Sequence, residues 1–141
     1  MSYSTTLHTA VGILALISIK MKEYHYEFVS TKLISEHLKI PAPTVVKALK
    51  NLNAAGIIDT KEGARGGVLL AKPLSEITLL DIFLAVEPGK PLFKTISDYP
   101  LKGREVEIIK ARLFNSLQNA EKAMMESLKT LTLEDLFNLD L

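Results

Sequence analysis

Apolar residues recur with helical spacing along most of the chain, and four stretches in its first 90 residues follow this pattern. These predicted helices cover about 5–21, 31–38, 43–55 and 79–87. Ser30 and Thr78 stand directly before the second and the fourth stretch. Side chains of this type accept hydrogen bonds from the free N–H groups at a helix start, so both residues are predicted N-caps.

The segment between the second and third predicted helices contains Pro41 and Pro43. Two prolines prevent one continuous helix, but they suit a tight turn and the first positions of a new helix. The two helices and their turn therefore have the layout of a helix-turn-helix. The outward face of the third helix carries residue types that pair with phosphates and base edges in a DNA major groove, namely Thr44, Lys47, Lys50 and Asn51. Any solvated helix carries lysines, so this pattern alone leaves an ordinary surface as an alternative.

A short strand, a glycine-rich turn and a second strand are predicted over 57–71. A hairpin directly after the third helix is typical of the wing of a winged helix. Gly63, Gly66 and Gly67 permit positive φ angles and close backbone approach, and Arg65 has a planar guanidinium that suits phosphate or a narrow minor groove. A nucleotide phosphate loop is the weaker interpretation, because the Lys-Ser/Thr ending and the following helix are missing.

The pattern in the last third of the chain predicts one long helix of about 28 residues within 101–131. A short helix over 133–138 follows, with Thr132 directly before it. Apolar residues that include Val106, Ile109, Leu113, Leu117, Met124 and Leu128 form one continuous stripe on it. A helix of about 28 residues measures about 42 Å, which is too long for a domain of this size to cover. Two such helices from two chains would cover each other, so a homodimer is predicted. The alternative is a helix folded back on its own domain.

Composition excludes several classes of protein. Hydrophobic residues make up 48% and charged residues 23% of the 141 residues, values typical of a globular domain. The longest apolar run has nine residues, short of the roughly 18 that span a bilayer, and no signal peptide is evident, so we expect a cytoplasmic protein without membrane contact. With no cysteine, the chain has no thiolate metal site, disulfide or thiol nucleophile, and its three histidines form no helical metal pair.

Charge is distributed unevenly along the chain. Residues 1–72 contain nine Lys or Arg and five acidic residues, a net charge of +4. Residues 73–141 contain eight Lys or Arg and eleven acidic residues, a net charge of −3. The first half is therefore the half in which to search for the binding site of an anionic partner, although a charge of this size is equally compatible with a solvated surface.

Three segments in this order, LKIPAPTVVKALKNLNAAGII at 38–58, GARGGVLLA at 63–71 and ITLLDIFLAVE at 77–87, resemble the Rrf2 family of bacterial transcription regulators. These are small dimeric winged-helix proteins. The resemblance implies that the helix around Pro43 and Lys50 reads the major groove and that the wing, with Arg65 and Gly66, enters the minor groove. It also implies that the start of the first helix, with Ser4, Thr5 and Thr6, contacts phosphate.

The chain departs from many family members in two places. Those members hold an iron-sulfur cluster on cysteines in the loop after the fourth helix, whereas residues 88–100 contain none here, so no cofactor and no metal are expected. Thr44 stands where many members have a bulky residue, so an operator sequence cannot be carried over. The effector, a small molecule or a protein, is left open. Leu92, Phe93 and Tyr99 either line a ligand pocket or only anchor the loop.

The predicted fold is mainly α with a small β-hairpin wing. It comprises a winged helix-turn-helix domain over 1–88, a connecting loop over 89–100, and a dimerisation helix with a short terminal helix over 101–141. The predicted function is a sequence-specific DNA-binding regulator, with repression expected, acting as a homodimer on a palindromic operator whose half-sites lie about 34 Å apart or a multiple of this. The alternative is a winged-helix module that docks a partner enzyme and binds little DNA. An enzyme is not predicted, because no nucleophile with its base and no paired carboxylates are recognisable.

Overall fold

The computed structural model describes residues 5–64, 66–87, 89, 91–93 and 100–139. The helices and strands of these residues are α1 (Thr6–Glu23), α2 (Thr31–Leu38), α3 (Ala42–Ala54), β1 (Ile58–Lys61), β2 (Gly67–Leu70), α4 (Leu79–Val86), α5 (Arg104–Lys129) and α6 (Leu133–Phe137). The predicted fold class, a winged helix-turn-helix with a long C-terminal helix, is confirmed. A 3-10 turn at Leu74–Glu76 was not predicted. No helix among the described residues combines the length and the hydropathy needed to cross a membrane.

The helix-turn-helix is held by side-chain bonds at both ends of α2. Ser30 Oγ accepts a hydrogen bond from the Leu33 amide at 3.1 Å, which confirms the predicted cap. At the other end Ser35 Oγ donates to the Ile40 carbonyl at 2.5 Å, and the Ile40 amide donates to the Ser35 carbonyl at 3.2 Å. Lys39 between them has a φ of +54°, so the chain reverses sharply before α3.

The wing is an antiparallel hairpin in which Ile58 pairs with Leu70 and Lys61 with Gly67. Val29, before α2, adds a third short segment through two 2.9 Å hydrogen bonds with Val68, a contact that the sequence pattern did not predict. At Gly67 a Cβ atom would lie 2.5 Å from the Val29 carbonyl oxygen, so a side chain has no room there. Glycine is therefore required where the wing crosses the segment before α2.

The core joins the apolar faces of α1, α3 and α4 with the base of the wing. Leu133 of α6 is buried in this same core. The Leu133 amide donates to the Ile77 carbonyl at 2.8 Å, and the Leu79 amide donates to the Leu131 carbonyl at 2.9 Å. The predicted division of the chain near residue 100 stays a prediction, but the terminal helix packs into the core of the winged unit.

Two capping boxes lie side by side where α4 and α6 begin. Thr78 Oγ1 accepts from the Asp81 amide at 3.1 Å, while Asp81 Oδ2 accepts from the Thr78 amide at 2.9 Å. Thr132 and Asp135 repeat this arrangement at 3.1 and 3.2 Å. The predicted helix starts at both threonines are confirmed, and a β-bridge joins the two residues.

The helix α5 has 26 residues, none of them buried. It begins at Arg104, three residues later than the pattern predicted, because Gly103 has a φ of +135° and a non-helical conformation. The helix packs against α4, and its end leads directly into α6. Most of its surface therefore has no cover from its own chain.

Candidate nucleic-acid interface

The inward side of α3 is apolar, and this determines which residues face outward. Its buried side chains are Val45, Ala48, Leu49 and Leu52. At 100° per residue the opposite side is centred on Lys47 and Lys50, with Pro43 at its start. All three of these residues are exposed. The inward apolar face thus holds the two lysines out toward solvent.

One flank of α3 meets the start of α1 around a hollow of about 430 Å³. Its lining residues are Thr5, Thr6, Thr9, Pro43, Thr44, Lys47, Ala48, Asn51 and Val86. Residues that the sequence pattern assigned to two separate helices therefore share one surface. Hydroxyl groups, an amide and an ammonium group border this hollow, and these are the donors and acceptors that phosphates and base edges require.

The other flank of α3 meets the wing around a second hollow, of about 600 Å³. From α3 it is lined by Val46, Leu49, Lys50 and Asn53. The wing contributes residues 60–64 and 66–68, and Ser30 and Thr31 come from the start of α2. Lys61 Nζ lies 4.7 Å from the centre of the Phe28 ring, a cation–π contact that holds this cation near the base of the wing.

Val46, Asn53 and Lys61 were missed by the sequence analysis. A helical wheel of α3 puts Val46 and Asn53 beside Lys50, so the signal was present for these two residues. The proximity of Lys61 follows only from the path of the wing back toward α2. That path depends on the Val29–Val68 pairing, which links residues far apart in sequence.

Gly66 has a structural reason to be glycine. Its amide donates to the Gly63 carbonyl at 3.0 Å, and an added Cβ would lie 2.8 Å from the Lys61 carbonyl carbon. Gly63 has a φ of +111°, so it uses the conformational freedom predicted for the turn. Both glycines shape the tip of the wing, and the DNA contact assigned to Gly66 stays a prediction.

Some predicted site residues lie outside the described residues, namely Ser4, Arg65 and Tyr99. Thr5 is exposed and Thr6 is half-buried at the start of α1. Leu92 is half-buried and Phe93 is exposed in the connecting segment. The two alternatives for the loop residues, lining a ligand pocket and anchoring the loop, stay predictions.

The six residues assigned to dimerisation divide into two groups on α5. Ile109 is 63% exposed and Leu113 is 49% exposed. The other four, Val106, Leu117, Met124 and Leu128, are half-buried. Ile108 and Phe114 are also exposed and were not included in the predicted stripe. The uncovered apolar surface is therefore concentrated in the N-terminal half of α5.

The model of the Rrf2 family, described as iron-dependent transcriptional regulators, matches residues 3–139. The chain belongs to the Rrf2 family. This confirms the resemblance found in the sequence and the prediction of a DNA-binding transcriptional regulator rather than an enzyme. The match extends through α5 and α6, beyond the segments that carried the resemblance.

Individual relatives agree with this assignment. YwgB of Bacillus subtilis, named as a candidate HTH-type transcriptional regulator, is 31% identical over 102 residues, which cover 68% of this chain and 64% of YwgB. The slr0846 protein of Synechocystis, named in the same way, is 28% identical over 97% of this chain and 88% of its own length. A crystal structure of a candidate DNA-binding protein superimposes with a TM-score of 0.73 at 25% identity and covers 94% of this chain and 99% of that one. The YwgB match thus spans just under two thirds of that relative.

The iron dependence in the family description does not fit the residues of this Rrf2 chain. The sequence contains no cysteine, so it lacks the thiolate ligands of an iron-sulfur cluster. Within the described ranges, no group of three or more His, Asp or Glu side chains is arranged to hold a metal ion. The side chains in the described part of the chain therefore do not form a ligand set for iron.

Proposed function

We propose that this Rrf2 protein binds a palindromic DNA operator as a homodimer and represses transcription there. Each α3 would enter a major groove, and each wing would reach the adjacent minor groove. The observation that carries this proposal is the position of the outward face of α3 between two hollows, one shared with α1 and one with the wing. A duplex seated on that face would meet all three elements. Binding to the chromosome of a bacterial cell would take place in the cytoplasm.

The charges around α3 support a polyanionic ligand. Lys47, Lys50 and Lys61 border the two hollows, and Glu62 is the one acidic residue among their lining residues. Lysine contacts to phosphate release counterions, so binding is expected to weaken steeply as salt rises. Apart from Val86, the residues that line the two hollows lie within the first 72 residues, which carry a net charge of +4.

The uncovered face of α5 supports the homodimer. Ile109 and Leu113 are exposed on a helix without a buried residue, and apolar side chains arranged in this way are typical of an interface between chains. A two-fold axis through paired α5 helices would present two α3 helices to one side of a duplex. That symmetry requires an operator with two related half-sites.

The test is retention of sheared genomic DNA by the purified protein, followed by sequencing of the retained fragments at two salt concentrations. The wild-type protein is expected to enrich a palindrome. Lys47→Ala should weaken binding to it about tenfold or more, since a dimer loses the contact twice. Arg65→Ala is expected to weaken binding as well, whereas Lys129→Ala, which makes the same charge change at a residue bordering neither hollow, should not.

Other outcomes of this experiment would contradict the proposal. Equal binding by Lys47→Ala and wild type would overturn the assignment of α3 as the reading element. Retention without a shared sequence, together with a protein partner captured after nuclease treatment, would favour the alternative of a module that docks an enzyme. A reporter gene with the enriched palindrome in its promoter is expected to be expressed less when the protein is present than when it is absent. Higher expression in its presence would overturn repression.

A further inference from the structure

Val46 is an exception among the large apolar side chains of α3. Val45, Leu49 and Leu52 are all buried, whereas Val46 is 52% exposed. It lies within the first five residues of α3, the part of a recognition helix that comes closest to the bases. The protomer core therefore does not account for an apolar residue at this position.

The neighbours of Val46 place it on the surface proposed to bind DNA. It borders the hollow between α3 and the wing together with Lys50, which lies one helical turn further along, and Asn53, which lies two turns along. Lys50 is exposed beside it. The flank of α3 that faces the wing thus has an apolar position at its beginning and polar positions after it.

The chemistry of the major groove restricts what such a side chain can recognise. All four bases present hydrogen-bond donors or acceptors there, and thymine alone adds a 5-methyl group beside its O4 acceptor. Valine can neither donate nor accept a hydrogen bond, so pressing it against a polar edge leaves that edge unsatisfied. Contact with a methyl group has no such cost and removes apolar surface from water.

We infer that Val46 selects thymine at one position of each half-site through contact with the 5-methyl group. This inference rests on the proposed function, because it requires α3 in the major groove. It assigns to Val46 a part of sequence preference that the lysines do not supply, since lysine contacts to phosphate carry no sequence information.

The test uses the enriched palindrome with single thymines replaced by uracil symmetrically in both half-sites. Uracil pairs as thymine does and lacks only the methyl group. At one thymine position the replacement is expected to weaken wild-type binding about tenfold, from the loss of two methyl contacts per dimer. Val46→Ala should bind the thymine operator about as weakly as wild type binds the uracil operator, and it should change less than about twofold on uracil replacement.

Two control variants separate this contact from general effects. Asn53→Ala, on the same flank of α3, is expected to keep the full sensitivity to uracil. Val46→Ile retains an apolar side chain, so it should also keep the full sensitivity to uracil. Because Val46 is half exposed and alanine favours helix, the unfolding temperature of Val46→Ala is expected to lie within a few degrees of the wild-type value.

Equal sensitivity of Val46→Ala and wild type to uracil would overturn the inference, and so would a wild-type protein that is insensitive at every thymine. Either result would leave the proposed function intact as long as the palindrome is enriched and Lys47→Ala weakens its binding. The absence of any enriched sequence would overturn both proposals.

Discussion

The winged unit and α5 differ in how far their apolar side chains are buried. In the winged unit, apolar residues from α1, α3, α4, α6 and the wing are buried against one another in a single core. In α5, which has 26 residues, no side chain is buried, and Ile109 and Leu113 face solvent. A helical stripe in the sequence therefore has two outcomes here, burial within the winged unit and exposure along α5.

This difference implies two sources of stability. The winged unit should owe its stability to its own packing, which does not depend on protein concentration. The proposed association through α5 should add a further contribution that rises with protein concentration, because binding of a second copy favours the folded form. Substitutions in the two regions are expected to differ in how much stability they remove and in whether that loss depends on protein concentration.

The largest effect is expected in the core. Leu52→Ala should lower the free energy of unfolding by about 2–5 kcal/mol, because Leu52 is fully buried and its truncation leaves a cavity. Urea titrations at several protein concentrations should give the same loss each time. Leu113→Ala is the matched change in α5, and its cost should grow with concentration. A concentration-dependent loss for Leu52→Ala would contradict the distinction between the two regions.

A smaller effect is expected where the wing crosses the segment before α2. Gly67→Ala should cost about 1–3 kcal/mol, because the new Cβ would meet the Val29 backbone. Gly12→Ala in α1 is the control, since apart from its chain neighbours and the adjacent backbone of α1 no atom lies within 4 Å of a Cβ there, and alanine favours helix by about 0.5–1 kcal/mol. Thermal unfolding measures both, and a neutral Gly67→Ala would mean that the wing can move away from Val29.

A change of about 1 kcal/mol is expected at the start of α4. Thr78→Ala removes the hydroxyl that accepts from the Asp81 amide. Thr78→Ser keeps that hydroxyl and should retain most of the stability, which chemical denaturation of the two variants would show. Equal losses in both variants would assign the effect to the methyl group of Thr78 and not to the cap.

The smallest effect on folding of the protomer is expected from Ile109→Glu, since this side chain is mostly exposed. Its effect on assembly should be large, because a carboxylate cannot be buried in an apolar interface without cost. Sedimentation is expected to give twice 15.6 kDa for wild type and a single 15.6 kDa for the variant. Gln118→Glu, on the opposite side of α5, should remain a dimer. A dimeric Ile109→Glu would require another interface.

Local sequence signals were sufficient for most of the fold. Ser30, Thr78 and Thr132 identified helix starts, and Gly56, with a φ of +74°, stands where α3 was predicted to end. These features were predictable because each depends on residues within one or two turns of chain. The start of α5 was misplaced by three residues, because the conformation of Gly103 is not encoded in the apolar spacing.

The candidate site was predictable only in part, for the same reason. The outward residues of α3 follow from its apolar face, so Thr44, Lys47, Lys50 and Asn51 could be assigned from the periodicity alone. The meeting of α3 with Thr5 and Thr6 on one side, and with Lys61 on the other, depends on how α1 and the wing pack around the core. Contacts between distant segments have no signature in local spacing.

The amino-acid sequence was thus enough to establish the helices, the hairpin, the outward face of α3 and the long apolar stripe, because short-range periodicity and capping carry that information. The three-dimensional packing added what those patterns do not contain. It pairs Val29 with Val68, brings α6 back to the start of α4, and leaves Ile109 and Val46 exposed. Burial is a property of the assembled chain, so the same apolar residue becomes core or surface according to which distant segment packs over it.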